Sequence, residues 1–248
     1  LGLPVFAQPI PKTMRRLPDT GQTASFTQTF GEDADYTSYP PFFLHNGDGT
    51  ATDTITGLMW QQTDGGEMTF ESAQAYCNSL TLGGHTDWRL PTAQEAFSIL
   101  NHGKSNPALD LSVFANTGAE YWWTSETQAG NTAKVWVTNA GGGIGNHPKT
   151  ETISAGGAKK FHVRAVRDVQ PPPTVPVQFV TTLNTTLDTL TGLEWQRFVV
   201  ATIQDSMTWE QALVFAENFV LGGKTDWRLP NIKELQSLND ESRSQPSL

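Results

Sequence analysis

The chain has 248 residues, 37% of them apolar and 17% charged, with 22 Gly and 15 Pro. That composition favours short strands and many turns around a sizeable core over long helices. A formal charge of -9 repels phosphate backbones and anionic bilayers, which excludes bulk nucleic-acid binding. No apolar run approaches the roughly 20 residues that span a bilayer.

From the N-terminus, Leu1-Gly-Leu-Pro-Val-Phe-Ala7-Gln8 reads as the end of an apolar signal segment with a small-residue cleavage box at Val5-Phe6-Ala7, which predicts a secreted or cell-surface protein. The alternative is an extended, proline-punctuated arm within residues 1–24 that lies on a neighbour. A first domain is predicted over residues 25–168. Asn46-Gly-Asp48-Gly lacks the acidic ligand count of a calcium loop and reads as a turn. Gly49–Asp53 and Leu58–Gln61 flank Thr54-Ile-Thr-Gly57, a hairpin with Gly57 where positive φ is needed. A helix follows from about Thr69 to Leu80, with Phe70, Ala73, Cys77 and Leu80 on one stripe and Gly83-Gly84 as its stop. The chain's one cysteine is thereby placed in the core as an inert thiol, and neither an internal disulfide nor a thiolate zinc site can form. Thr92-Ala-Gln-Glu95 is a capping-box pattern that starts a second short helix. Tyr121–Thr124, Val135–Thr138 and Phe161–Val166 read as strands that close the sheet.

The chain then repeats itself. Val169-Gln-Pro-Pro-Pro-Thr-Val-Pro176 forms a stiff linker over residues 169–176. Beyond it, Asp188-Thr-Leu-Thr-Gly-Leu-Glu-Trp-Gln196 repeats Asp53–Gln61 and Leu221-Gly-Gly-Lys-Thr-Asp-Trp-Arg-Leu-Pro230 repeats Leu82–Pro91, at offsets of 135 and 139 residues. Two long matches in the same order mean two copies of one domain. Residues 177–248 form the second copy, in which no counterpart of Asp110–Arg167, and so none of the three closing strands, is present; either the copy is incomplete, or the sequence is cut short at Leu248 and the rest of the copy follows in the native protein. A fragment of this size without those strands is expected to unfold or aggregate when isolated.

The most specific motif is the one ending in Asp-Trp-Arg-Leu-Pro. It reads as structural: Trp88 and Trp227 fill the core, Arg89 and Arg228 are held by a nearby carboxylate such as Asp87 or Asp226, and Leu-Pro leads into the capped helix. Trp60 and Trp195 occupy matching core positions in the hairpins. The five histidines contain no His-x-x-x-His pair, and neither a Gly-x-Ser-x-Gly elbow nor a phosphate-cradling loop occurs. No catalytic residue, metal ligand or cofactor site is predicted.

Asn46-Gly-Asp-Gly-Thr50, Thr56-Gly-Leu-Met-Trp-Gln61, Ala75-Tyr-Cys-Asn78, Leu82-Gly-Gly84, Asp87–Pro91 and Val163-Arg-Ala-Val-Arg167 together resemble the C-terminal domain family of Legionella collagen-like adhesin. The resemblance covers Phe42–Arg167 and Val177–Leu248. It implies an α+β, C-type-lectin-like fold with short helices and a twisted antiparallel sheet, distantly similar to the formylglycine-generating enzymes. It also implies a secreted or surface setting, and binding of sulfated glycans is known for the adhesin. The oxidative chemistry of those enzymes needs a cysteine pair, which a lone Cys77 cannot supply.

Charge placement adds a second signal. From Thr127 to Arg167, Lys134, Lys149, Lys159, Lys160, Arg164 and Arg167 stand against Glu151 alone, a segment of +5 in a chain of -9. One reading is solvated lysines; the other is an anionic-glycan site, with Trp122 or Trp123 as a stacking surface. Strand alternation puts the two indoles on opposite faces, leaving at most one free. Two functions follow: a non-enzymatic glycan-recognition module, or a structural subunit of an extracellular assembly or filament that associates through the second copy or the N-terminal arm.

Overall fold

The computed structural model describes residues 14–150, 161–170, 178–198 and 206–244. The first copy contributes β1 (Phe43–His45), β2 (Thr50–Asp53), β3 (Leu58–Gln61), α1 (Phe70–Ser79) and α2 (Ala93–Ser98). It continues with β4 (Tyr121–Thr127), β5 (Lys134–Asn139), β6 (Ile144–Pro148), β7 (Phe161–His162) and β8 (Val166–Asp168). The second copy contributes β9 (Phe179–Thr181), β10 (Thr185–Asp188), β11 (Glu194–Gln196), α3 (Trp209–Glu217) and α4 (Ile232–Ser237). The protein is mixed α and β, with few helices and several antiparallel sheets.

Local chemistry explains the elements. In the β2–β3 hairpin the Asp53 carboxylate accepts from the Ile55 and Thr56 amides at 2.9 and 3.2 Å, and Gly57 sits at φ 76°. The Thr69 hydroxyl caps α1, whose buried stripe is Phe70, Ala73 and Cys77. Burial pushes the Cys77 thiol up to about 12. Both α2 and α4 begin with reciprocal capping boxes, Thr92 with Glu95 and Asn231 with Glu234. Asn46–Gly49 is the turn between β1 and β2, closed by an Asn46 amide bond to the Thr50 carbonyl at 3.0 Å.

The closing strands depart from expectation in two respects. Instead of one antiparallel sheet the first copy has two, ordered β1-β2-β3-β8 and β6-β5-β4-β7, and β4 runs parallel to β7. The stretch expected as one strand, Phe161–Val166, is divided between them. Its middle leaves the β4 ladder because Val163 bonds to the Gly65–Gly66 turn, and from Ala165, which accepts from the Gln61 amide, it joins β3 instead. Crossing in this way lets one segment tie both sheets together.

The β4–β5 layer has a hydrophobic cluster on each side. Trp60, Phe97, Leu100, Phe114 and Trp122 belong to one; Phe70, Cys77, Trp88, Trp123, Val135 and Phe161 belong to the other. Residues 14–39 lie along both copies: Met14 joins the first cluster, while the Thr29 hydroxyl reaches Glu210 at 3.0 Å and the Tyr36 hydroxyl bonds to Glu217. Linker residues 171–176 fall outside the described residues.

Candidate functional site

The shared Asp-Trp-Arg-Leu-Pro motif is built the same way twice. Trp88 Nε1 donates to the Leu82 carbonyl at 3.2 Å, and Trp227 Nε1 to that of Leu221 at 3.3 Å. The arginines, however, do not pair with the motif's own aspartates. Arg89 forks onto Glu95 at 2.7 and 2.8 Å and reaches Asp168 at 3.2 Å, while Asp87 takes Arg167 at 2.7 and 3.0 Å. Arg228 likewise forks onto Glu234 rather than Asp226. The reason is desolvation: Glu95 is fully buried by its capping role and needs a cation, whereas Asp87 stays in water.

The residues expected to hold a ligand do not converge. Trp122 and Trp123 are both buried, because their strand has a core cluster on either side, so neither indole offers a stacking face. Arg164 is also buried, donating to the Gln61 carbonyl at 2.8 Å and to that of Gln62, and Arg167 is engaged by Asp87. Lys134 reaches Asn146 at 3.3 Å on one face of the sheet, and Lys149 lies over the Phe70 ring at 5.5 Å on the other. Lys159 and Lys160 lie outside the described residues.

Sequence reasoning missed a polar centre beneath this sheet. Buried Asp64 accepts from Trp122 Nε1 at 3.1 Å, His162 Nδ1 at 3.0 Å and the Thr117 hydroxyl, with Arg164 Nη2 3.6 Å away. Its partners come from two segments, 117–122 and 162–164, both far from Asp64 in sequence, so no local pattern announces it. Burial alone would raise this carboxyl, but the His162 and Thr117 bonds and the Arg164 charge prevail and bring it down to about 2. A depressed folded value means stability that is present above pH 3.8 and is lost as pH falls to about 2. Acid titration of unfolding should show that loss in the native chain, and Asp64→Asn should flatten it.

The second copy presents the same framework with its inner face open. Trp209 is 50% exposed where Phe70 is 5%, Ile232 is 48% where Ala93 is 0%, and Leu235 is 46% where Ala96 is 3%. Trp195 and Trp227 are half-buried where Trp60 and Trp88 are fully covered. Where Asp168 stands beside Arg89, the Tyr36 ring lies 5.3 Å from the Arg228 guanidinium.

A comparison with family models matches residues 49–167 and 184–248 to the Lcl C-terminal domain. The chain belongs to the Lcl C-terminal domain family. This adhesin-related family accounts for well over half of the chain, and both Arg-Glu-clamped motifs fall inside the matched ranges. Neither the curated proteins nor the solved structures contain a match. Among the described residues, no helix is long and apolar enough to cross a membrane.

The two Lcl C-terminal domain segments meet where α2 packs on α4, through reciprocal bonds from equivalent positions. Gln94 Nε2 donates to the Asn239 carbonyl at 3.0 Å, and Lys233 Nζ to the Ser98 and Asp19 carbonyls at 2.7 and 2.8 Å. Burial pushes Lys233 down to about 7 against the pull of Asp53 and Asp19. At the same junction, burial and the neighbouring Glu126 push Glu241 up to about 7. The raised acid supplies stability that is lost as pH rises from 4.5 to about 7. The lowered lysine supplies stability that is regained only as pH rises from about 7 towards 10.5. Unfolding followed across pH should therefore show these two contributions meeting in a minimum near neutrality. Glu241→Gln should remove the acidic limb and Lys233→Met the alkaline one.

Proposed function

We propose that the chain is a non-enzymatic recognition module of a secreted or cell-surface adhesin, holding an anionic extracellular glycan at the end of the first copy where β5 begins and β6 stops. What supports this reading is that Lys134 opens β5 and Lys149 directly follows β6, so these adjoining strand ends carry a cation on either face of the sheet, within a sequence segment, 127–167, of net charge +5. Membership of an adhesin-related family supports it, as does a lone thiol too buried and too weakly acidic to act as a nucleophile. No cofactor or metal enters the reading.

Retention on an immobilised sulfated oligosaccharide tests it. The native chain should bind at low salt and release at moderate salt, because the contacts are ionic. Lys134→Ala with Lys149→Ala, and Lys159→Ala with Lys160→Ala, should each weaken retention. No retention, or retention indifferent to both double variants, rejects the site.

A second reading, a subunit of an extracellular assembly that associates through the second copy, is favoured by the exposed Trp209, Ile232 and Leu235. Light scattering tests it: mass that rises with concentration supports association, and a strict monomer at every concentration rejects it.

A further inference from the structure

A small cavity lies in the core of the first copy. Its lining is mostly apolar, Leu100 and Leu109 included, but Trp60, Trp122, Thr138 and Arg164 also form part of the wall. These four residues come from β3, from β4 and β5, and from the segment that crosses between the two sheets. All of them belong to the first copy.

The wall carries buried donors with nothing to bind. Among the described residues, Trp60 Nε1 and the Nε and Nη2 atoms of Arg164 have no hydrogen-bond partner, although Trp60 is 0% and Arg164 2% exposed. The other indoles of this core are satisfied: Trp122 Nε1 by Asp64, Trp123 Nε1 by the Met68 carbonyl and Trp88 Nε1 by the Leu82 carbonyl. Arg164 Nη1 donates to the Gln61 and Gln62 carbonyls, whereas Nη2 stands 3.6 Å from Asp64 Oδ2, beyond hydrogen-bond length. A buried donor left unpaired costs its full desolvation penalty, and more when the group is charged. Burial pulls the Arg164 guanidinium down to about 10 against the Asp64 charge, so the cation needs a further acceptor.

Size and charge define what can sit there. The cavity volume is about 10 Å³, at the lower end of the roughly 10–15 Å³ that one water needs, so it admits one molecule and no organic ligand. A monatomic anion meets two obstacles, its larger radius and the Asp64 carboxylate that already balances Arg164. A water can accept from the indole and the guanidinium and donate to the Thr138 hydroxyl, about the three partners typical of a buried water.

We propose that one water molecule is an integral part of the first copy's core, seated between Trp60 Nε1 and the Arg164 guanidinium, where it ties β3 to the segment that crosses between the sheets. Trp60 thus contributes its indole N–H to the fold as well as its ring.

Water-to-protein cross-relaxation measured by NMR on the isotope-labelled whole chain tests this. The Trp60 Hε1 and Arg164 Hε protons should each show a cross-peak at the water frequency. Its sign should be opposite in laboratory-frame and rotating-frame spectra, the mark of contact with a bound molecule rather than of proton exchange. Trp88 and Trp123, equally buried but bonded to carbonyls, should show no such peak at Hε1. Trp60→Phe assigns the indole signal by its loss. Thr138→Val removes a hydroxyl proton able to mimic the water signal while leaving both donors in place, so the two cross-peaks should persist in it. The proposal is overturned if neither proton contacts water, if only one does, or if the cross-peaks vanish in Thr138→Val. It is equally overturned if replacing sulfate by chloride at constant ionic strength shifts the Trp60 and Arg164 signals, because the occupant is then an anion.

Discussion

Arg89→Ala is expected to destabilise the first copy by about 3–5 kcal/mol, the range for breaking a buried ion pair from one side. The loss exceeds that of an ordinary salt bridge because Glu95 would be left fully buried, its carboxylate still capping Thr92 but without the fork at 2.7 and 2.8 Å that offsets its desolvation. Asp168 would lose its partner at the same time. Arg228→Ala removes the equivalent residue, but Glu234 retains some contact with water and has no Asp168 analogue beside it among the described residues, so the cost should be smaller. Chemical unfolding combined with hydrogen exchange at α2 and α4 separates the two, since a chain of this kind need not unfold in one step. Equal losses at the two sites would show that the closing strand adds nothing to the clamp.

A second pair of variants compares the helix stripes. Phe70 and Trp209 occupy the same position of the repeated helix, yet Phe70 packs edge-on against Trp123 at 5.8 Å while Trp209 is half in solvent. Phe70→Ala should cost about 3–5 kcal/mol, the loss of buried area plus the cavity left behind. Trp209→Ala should stay within about 0.5 kcal/mol, as substitutions at exposed positions do. If Trp209→Ala proves as costly as Phe70→Ala in the isolated chain, that tryptophan is covered in solution, and the open face assigned to the second copy is wrong.

Much of this protein was legible from the residues in order. Thr92 with Glu95 and Asn231 with Glu234 mark helix starts because a cap and its reciprocal acid act within one turn. The Phe70-Ala73-Cys77 stripe and Gly57 in its hairpin were equally readable, since periodicity and positive φ are properties of a few adjacent residues. The repeat itself needed only comparison of the chain with itself, and the family only comparison of its motifs with those of the Lcl C-terminal domain.

What the sequence by itself left open was every choice that depends on which segments meet. Arg89 takes Glu95 over the closer Asp87 because only tertiary packing decides which carboxylate is stripped of water. Trp122 and Trp123 point to opposite faces, as alternation requires, but a core on each face buries both and leaves no surface for stacking. Phe161–Val166 has the composition of one strand and serves two sheets, since the Gly65–Gly66 turn offers its middle better partners than a continued ladder. Asp64 gathers His162 and Thr117 across 98 and 53 residues of chain, distances over which no local pattern carries information. Local sequence determined the elements and their ends; burial and long-range pairing determined which charges are consumed inside the fold and which remain for a ligand.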